Sequence, residues 1–482
     1  TIENRLTRMF VSSGDEDPSR IGWFGIGFWS VFALSPLAVI VDTHGPDGAW
    51  RVVFDSPESY TLRQLERPRP GTCVSIVLRR QGPHHLRELR GRVAEALTTW
   101  CSYAGTELRF DGEAITKPFA FDTPVSVLGT DAHTQILAGH PMHGAGYLGL
   151  YREGLTLLHD EPLHEGVMVS ISSSRIHHTL KRDRMLHDQA YGSILQLADR
   201  VVRRRLCEEV FSALESHVWH PPNDPDDHEQ VAKWEADRAY LYRAATWHVR
   251  RGHDRLTGAD ERAAFRSPAG LAIGISACRR AVARRGVIYY AHARSHLTDA
   301  LEDQGHLVLK LAADSPEHTL LAALDDHAQL VSVHLQLCMP KPITDREYRQ
   351  QTRRLEMAIA QLIIDNGGEL TTVQVGYFDY PGSAISGEIF LIQPHFGDIS
   401  RKSEALGRSD ELFECTQTMV LNADHRGMHA LIHLAQTEPE YAAYQALKLM
   451  LLGSRPAPRL SPERDAALAQ MAVTRRWNRI NR

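Results

Sequence analysis

The sequence predicts a multidomain protein of mixed α+β and α/β class, and three observations lead to this prediction. The chain has 482 residues, 43% of them hydrophobic, which is enough for about two to four domains with cores of their own. Patterns typical of strands and of helices follow one another along the whole chain. A strand–helix–strand pattern at 286–309 favours a parallel pair of strands joined by a crossover helix.

The elements can be placed in chain order from apolar periodicity and turn residues. An Asp-Gly pair between two short apolar runs predicts a hairpin at 107–115. A segment rich in Pro and Asp, 217–228, predicts a linker. Helical spacing predicts helices at 85–101, 189–214, 345–365, 429–435 and 440–452, and strands are predicted at 37–41, 50–54, 73–78, 146–150, 155–158, 164–172 and, as two or three strands, 371–393.

Composition excludes several classes of function. The net charge of −5 does not call for nucleic acid or an anionic membrane as a partner. The six cysteines are scattered without a Cys-x-x-Cys pair, which argues against a disulfide framework or zinc site and favours a reducing compartment. None of the 26 histidines falls in a His-Glu-x-x-His helix, so we assign most of them to solvated surface and predict no metal site.

The segment from Arg20 to Phe32 is the most informative part of the chain. Gly22, Gly25 and Gly27 fall within six residues, and glycines spaced in this way let backbone amides crowd around an anion. A helix that begins at about Phe28 would direct its free N–H groups to the same place. The segment therefore predicts a phosphate-binding loop.

Other interpretations of this segment fit less well. A P-loop is excluded because no Gly-Lys-Ser/Thr follows, and the polar stretch 12–19 does not supply the strand that a dinucleotide fold requires before its loop. The uncharged run 21–41 is about long enough to cross a bilayer. Its three glycines, and the hairpin turn predicted at 43–48 between two strands, favour a soluble sheet instead.

The glycine box resembles that of the GHKL ATPases, and within them that of the heat-shock protein 90 chaperones. Gly22 to Ser30 match the family pattern Gly-x-Phe-Gly-x-Gly-Phe-x-Ser, and residues 1–20 resemble the lid that precedes it. Gly71-Thr72 stands where the family has a Gly-Thr, although an ordinary turn is the alternative interpretation. The resemblance implies that Thr72 contacts adenine and that Gly25, Gly27 and Phe28 contact the phosphates, with Gly22, Phe24 and Ile26 as further cofactor-binding residues of the box.

Two parts of the family's site have no counterpart in this sequence. A first helix with Glu-x-x-x-Asn should supply the carboxylate that activates water and the amide that holds Mg²⁺. An Asp-x-Gly-x-Gly turn should then supply the aspartate that recognises adenine. The chain begins at Thr1 in what resembles the following helix, so we expect it to be truncated at its N-terminus. ATP and Mg²⁺ are therefore expected as cofactors only of a complete N-terminal domain.

A second group of basic residues precedes the helix predicted at 189–214. It consists of Arg175, Lys181, Arg182 and Arg184. In the resembled chaperones, a loop in this place brings an arginine to the γ-phosphate of ATP, and Arg182 matches it best. A fixed planar cation there would offset charge that develops during phosphoryl transfer. The alternative is a solvated helix N-terminus, with Asp183 as its cap.

The later blocks follow the family's order. The strand–helix–strand unit resembles the small α/β part of the chaperone middle segment, and Leu421-Asn422-Ala423-Asp424-His425 resembles the entry to the C-terminal dimerisation helices. The resemblance implies four domains: a partial Bergerat-type (GHKL) nucleotide-binding domain (1–118), a ribosomal-protein-S5-like middle domain (119–216), a linker with the small α/β segment (217–340), and a mainly helical dimerisation domain (341–482).

The function implied by the resemblance is that of an ATP-dependent chaperone in the cytoplasm. Hydrolysis would be coupled to closure of a homodimeric clamp on client proteins, without nucleic acid or membrane as partners. Two alternatives remain open. The first is a non-hydrolysing homologue that acts as a dimeric scaffold, which the absent Glu-x-x-x-Asn favours. The second is a GHKL ATPase acting on DNA, which would require a catalytic Lys on a loop of its middle domain and a basic groove.

Overall fold

A computed structural model describes most of the chain and divides it into two compact units, Thr1–Val210 and Phe211–Arg482. The mixed α+β class with several sheets is confirmed. The four domain boundaries stay a prediction. The residues described are 6, 27–45, 48–66, 70–79, 82–177, 185–222, 224–325, 328–369, 372–406, 413, 416–453 and 460–481.

The first unit begins, within the described residues, with a four-stranded antiparallel sheet of order β3-β2-β1-β4. A 3-10 helix, Phe28–Leu34, precedes the sheet, and a 19-residue helix follows it. The elements are β1 (Ala38–Gly45), β2 (Gly48–Ser56), β3 (Ser59–Gln64), β4 (Gly71–Val77) and α1 (Pro83–Cys101). The uncharged run 21–41 thus contributes a 3-10 helix and half of a sheet strand over its described part. Among the helices described here, none combines the length and hydropathy needed to cross a bilayer.

Side-chain alternation gives this sheet two different faces. On one face, Val39 pairs with Phe54 and Val41 with Val52, and all four are buried against the aromatic 3-10 helix. On the other face, Arg51 pairs with Asp42 through two hydrogen bonds of 2.6 and 2.7 Å. The first face is therefore the packed side of the sheet.

A short hairpin and a second sheet complete the first unit. The hairpin joins β5 (Arg109–Phe110) to β6 (Glu113–Ala114) through Asp111 and Gly112, both at positive φ, which confirms the predicted Asp-Gly turn. The second sheet has the order β10-β9-β11-β8-β7, and β9 and β11 run parallel. Its strands are β7 (Ser126–Thr130), β8 (Thr134–Gly139), β9 (Tyr147–Arg152), β10 (Leu155–Asp160) and β11 (Met168–Ser173).

The helix predicted at 189–214 is interrupted by a π-helical turn. It consists of α2 (Gln189–Arg200), the π-helical residues Val201–Leu206, and α3 (Cys207–Trp219). Val201 packs against Gly129 of β7, where a Cβ would meet the valine Cγ2 at 2.9 Å. The absence of a side chain at Gly129 lets the turn approach the sheet closely.

The second unit starts with helices around a small hairpin. The elements are α4 (His228–Arg250), α5 (His253–Thr257), β12 (Ala263–Arg266), β13 (Ala272–Gly274) and α6 (Ile275–Arg285). A three-stranded parallel sheet of order β15-β14-β16 follows, so the predicted parallel pair with a crossover helix is confirmed. It comprises β14 (Val287–Ala291), α7 (His296–Asp303), β15 (Val308–Lys310), α8 (Glu317–Ala322) and β16 (Gln329–Ser332).

The C-terminal part is a four-stranded mixed sheet of order β18-β19-β22-β20, packed with helices around one apolar cluster. A separate two-stranded antiparallel ladder pairs β17, which precedes this sheet in the sequence, with β21, which lies between β20 and β22 in the sequence. The elements are α9 (Val333–Gln336), β17 (Leu337–Cys338), β18 (Lys341–Pro342), α10 (Arg346–Asp365), β19 (Thr372–Tyr377), β20 (Phe390–Gln393), β21 (Ser400–Arg401), α11 (Lys402–Ala405), β22 (Thr418–Asn422), α12 (Arg426–Leu434), α13 (Pro439–Gly453) and α14 (Pro462–Ile480).

Candidate functional site

The structure describes three of the eight residues predicted for the nucleotide site. These three are Gly27, Phe28 and Thr72. The other five lie outside the described residues: Gly22, Phe24, Gly25, Ile26 and Arg182.

The end of the glycine box is held by a local hydrogen bond. Ser30 donates its hydroxyl to the carbonyl of Gly27 at 2.7 Å, at the start of the 3-10 helix. A helical segment does begin at Phe28, as predicted, but as a 3-10 rather than an α-helix. A Cβ at Gly27 would meet no atom of the described residues within 4 Å.

The ring of Phe28 points into the packed face of the sheet. Its centroid lies 5.4 Å from that of Phe54, and Trp29 and Phe32 complete the aromatic cluster. Leu6, from the segment that resembles the lid, packs against the same cluster. Phe28 can therefore offer a phosphate its backbone N–H but not its side chain.

Thr72 lies at the start of β4, directly opposite Thr43 of β1. The two hydroxyl oxygens are 2.8 Å apart and both residues are accessible to solvent. Because alternate residues share a face, Thr43 and Thr72 lie on the same face as Val39 and Val41. Thr72 is thus presented on the side of the sheet that the glycine-box helix covers.

An apolar strip continues from Thr72 along this face. Val74 and Ile76 pair with Val41 and Val39, yet they are 46% and 38% exposed. A hydroxyl pair at one end of an exposed apolar strip can accept a flat heterocycle, because the strip covers its face and a hydroxyl bonds its edge.

The described residues on either side of Arg182 are hydrogen-bonded to each other. Residues 178–184 lie outside the described part, and the N–H of Leu186 donates to the carbonyl of His177 at 3.0 Å. Nδ1 of His177 lies 2.8 Å from Oδ2 of Asp188, whose Oδ1 accepts from the N–H of Tyr191 and caps α2. These two interactions, the His177 bond first, hold the pKa of the Asp188 carboxyl below its usual value.

Arg175 is the one member of the basic group that the structure describes. Its Nη2 donates to Oδ2 of Asp131 at 2.6 Å and to the hydroxyl of Thr134 at 3.0 Å. Arg175 is thereby tied to the β7–β8 connection, so it serves the fold of its own sheet. Any cation offered to a phosphate from this loop must come from the other three basic residues.

The Leu-Asn-x-x-His segment holds the connection before β20. The buried amide of Asn422 donates to the carbonyls of Ser386 and Glu388, at 3.2 and 2.7 Å. Oδ2 of Asp424 accepts from the N–H groups of Phe378 and Asp379, both at 2.7 Å. The segment then leads into α12, with His425 at the N-cap position. The sequence identified this segment, but it did not predict that the side chains of Asn422 and Asp424 bond to the backbone of other segments.

Helix α14 presents an exposed apolar stripe. Val473, Trp477 and Ile480 are 66%, 68% and 61% exposed, while Leu468 and Ala472 on the inner side are buried. Tyr441 of α13, itself 50% exposed, lines a groove of about 480 Å³ together with Val473. Ion pairs fix the orientation of α14, since Arg475 pairs with Asp365 and Arg476 with Glu438. The stripe therefore faces outward as a fixed surface.

The metal-binding residue types do not converge in the part of the chain that the structure describes. No group of three or more His, Cys, Asp or Glu side chains there is arranged to hold an ion. Two histidine pairs come close together, but no third such side chain of the described residues completes an ion site beside them: Nδ1 of His248 lies 3.1 Å from Nδ1 of His253, and His292 faces His334.

Comparison with known proteins identifies relatives among bacterial chaperones. The chain is 31% identical over 123 residues to the chaperone protein HtpG of Methylobacterium nodulans, a match covering 24% of this chain and 20% of the relative. It is 27% identical over 116 residues to HtpG of Myxococcus xanthus (23% and 17% covered) and 41% identical over 85 residues to HtpG of Mesorhizobium japonicum (16% and 14% covered). No family model matches the chain.

These matches span a fifth or less of the length of the relatives. The similarity is partial and low in identity, but it is found with several HtpG chaperones. It supports the heat-shock protein 90 family and a chaperone of that type.

Proposed function

We propose that this chain forms part of an ATP-dependent chaperone of the heat-shock protein 90 type, working in the cytoplasm on client proteins. The observation that carries the proposal is its similarity to HtpG. The order of the glycine box, the Gly-Thr strand, the parallel α/β unit and the C-terminal helices along the chain supports it.

The proposed nucleotide site uses the packed face of the β1–β4 sheet. Thr72 would bond the edge of adenine, and Val74 and Ile76 would contact its ring. The backbone at Gly25, Gly27 and Phe28 would face the phosphates, with Gly22, Phe24 and Ile26 shaping the loop. The position of Thr72 on the face covered by the glycine-box helix supports this arrangement.

Catalytic groups would come from two places. The water-activating carboxylate and the amide that holds Mg²⁺ belong to the first helix of the family, which has no counterpart in this sequence. Arg182 would approach the γ-phosphate from the segment between His177 and Leu186, and its positive charge would stabilise the transition state of hydrolysis. The pairing of Arg175 with Asp131 supports Arg182 over Arg175.

The proposed homodimer interface is the outward stripe of α14 with the neighbouring part of α13. Exposed large apolar residues at 473, 477 and 480 lie on one side of a helix, which is the pattern expected of a twofold helix bundle. A dimer joined at this end would let the two copies close on a client when ATP binds.

ATP turnover measured for two proteins tests the proposal. One is this chain and the other is the chain extended by its upstream coding sequence. We expect turnover only in the extended protein, together with delayed aggregation of a heat-denatured client. An extended protein that neither hydrolyses ATP nor binds a client would refute the proposal. Retention of DNA on a filter at moderate salt would instead indicate a GHKL ATPase that acts on DNA.

A further inference from the structure

A cavity of about 620 Å³ lies in the second unit, next to the parallel sheet. It is lined from one side by the β14–α7–β15 unit and from the other by β17, β21 and α11. Its size falls in the range of pockets that bind small molecules, which is roughly 300–1,000 Å³. The proposed nucleotide and dimer sites do not use it, so an inference from this cavity is independent of the proposed function.

Part of the cavity wall is apolar. Pro394 and Ile399 line it and keep accessible surface, whereas the lining residues Leu301 of α7 and Leu337 of β17 are only 2% and 7% exposed and form the packed layer behind it. Pro394 and Ile399 provide contact area without polar groups that a ligand must satisfy. The cavity is therefore suited to a ligand with an aliphatic portion.

Two side chains of opposite charge line the cavity. Arg401 ends β21 and is the N-cap residue of α11, and Glu404 lies three residues later within α11. No ion pair or hydrogen bond joins either side chain to the other, or to any further residue that the structure describes. Lys402 between them, by contrast, donates to the carbonyl of Ala384 at 2.6 Å. Both unpaired charges thus border the same cavity.

His306 adds a directed donor to the cavity wall. Its Nδ1 accepts a hydrogen bond of 2.7 Å from Nη1 of Arg285, so the ring proton of the neutral imidazole must be on Nε2. Burial and the neighbouring Arg285 lower the pKa of His306, which keeps the ring neutral near pH 7. The ring also lies edge-on to Tyr289, 5.1 Å between centroids, and this contact fixes its orientation.

We infer that this cavity binds a small apolar zwitterion, of which a dipeptide with aliphatic side chains is the best match. Arg401 pairs with the ligand carboxylate and Glu404 with its ammonium group. The aliphatic side chains contact Pro394 and Ile399, and His306 donates from Nε2 to the peptide carbonyl. The opposite charges of Arg401 and Glu404 then obtain the partners that they lack within the described residues.

Isothermal titration of the full chain with L-leucyl-L-leucine tests this inference. We expect saturable binding that weakens about tenfold or more in Arg401→Gln and in Glu404→Gln, because each loses a charge-assisted hydrogen bond. Arg255→Gln, an exposed arginine of the same unit outside the cavity, serves as the matched control and should bind as the parent does.

Capped peptides assign each charge to its partner. Leucyl-leucinamide lacks the carboxylate, so it should bind the parent weakly and be insensitive to Arg401→Gln. N-acetyl-leucyl-leucine lacks the ammonium group and should be insensitive to Glu404→Gln. Absence of saturable binding by leucyl-leucine, or equal binding by the parent and both variants, would overturn the inference. Thermal unfolding curves of the variants show whether they are folded, and a pair of folded variants with unchanged affinity counts against the site.

Discussion

The hydroxyl oxygens of Thr43 and Thr72 lie 2.8 Å apart across β1 and β4, on the face of the sheet that packs against the aromatic 3-10 helix. One hydroxyl can donate to the other and still accept from a third group. Thr72 is therefore held in position by a residue 29 positions earlier in the sequence. This pair gives the Thr of the Gly71-Thr72 motif a defined place on the sheet.

Replacing Thr72 by valine should weaken nucleotide binding without weakening the fold. The side chain keeps its shape, but the hydroxyl that would bond adenine is lost, so we expect affinity to fall about threefold to tenfold in the extended protein. Ser75→Ala, on the opposite face of β4, is the matched control. Fluorescence titration with a labelled ATP analogue measures both, and equal losses in the two variants would contradict the role given to Thr72.

Arg182→Ala should reduce ATP turnover of the extended protein by on the order of 10³-fold, since arginine fingers contribute effects of this size. Nucleotide affinity should change much less. Arg175→Gln should leave turnover near the parent value, because Arg175 is tied to Asp131 and Thr134. Steady-state phosphate release separates the two variants. If Arg175→Gln reduced turnover and Arg182→Ala did not, the assignment would be reversed.

Lysine in place of both Val473 and Trp477 should convert the proposed dimer into a monomer. Two charges in the centre of an apolar interface would be desolvated without partners. Asn478→Lys is the control, because it adds a charge on the same turn of α14 but on the side of the cavity next to Asp365. Sedimentation velocity over a range of concentrations measures the oligomeric state of the parent and of each variant. A monomeric parent, or a dimer that survives both lysines, would place the interface elsewhere.

Glu317→Ala should destabilise the second unit by about 1–3 kcal/mol. Arg238 of α4 forms three hydrogen bonds of 2.7–2.9 Å with the carboxylate of Glu317 on α8, which is 6% exposed. Removing the carboxylate leaves a guanidinium with 16% side-chain exposure that keeps its bonds to Glu235 but loses those to Glu317. The exposed pair Arg294–Asp299 provides a control, and Asp299→Ala should cost less than about 1 kcal/mol. Urea denaturation measures both, and equal costs would contradict the difference expected from burial.

The unfolding free energy of Glu356→Gln, relative to that of the parent, should be larger at neutral pH than at acid pH. Burial raises the pKa of Glu356, whose Oε1 accepts from the N–H of Val375 at 3.0 Å. With the folded pKa above the unfolded one, the folded state binds more protons, so stability of the parent falls as pH rises through this interval. Glutamine keeps the acceptor without the charge.

The difference in unfolding free energy between Glu356→Gln and the parent should therefore grow from about pH 4 upward. Glu347→Gln, exposed on the same helix, controls for the loss of one negative charge. Chemical denaturation at a series of pH values provides the measurement. If the difference in unfolding free energy stayed constant across the series, Glu356 would titrate in the same way in the folded and unfolded states.

Local signals predicted much of the fold. Asp111-Gly112 specified its hairpin because positive φ at both positions suits this pair, and Asp345 and Ser295 mark the N-caps of α10 and α7. The π-helical turn at 201–206 escaped prediction because it depends on close approach to Gly129, 72 residues earlier, which periodicity within a helix does not reveal.

The candidate site could likewise be predicted only in part from the sequence. Thr72 was identified from a short motif, but its partner Thr43 follows only from the register of β1 and β4. Arg175 was grouped with the basic loop because it is near in sequence, whereas the structure ties it to Asp131, 44 residues away. The unpaired charges of Arg401 and Glu404 could not be identified from sequence, because an i, i+3 pair of opposite sign ordinarily predicts a salt bridge.

Aggregation of a heat-denatured client, followed by light scattering with the extended protein present, tests whether the protein is a chaperone of the proposed type. We expect delayed aggregation, a change in that delay when ATP is added, and loss of the ATP effect alone in Arg182→Ala. Aggregation at the rate of the client by itself, with or without ATP, would contradict a chaperone of the heat-shock protein 90 type.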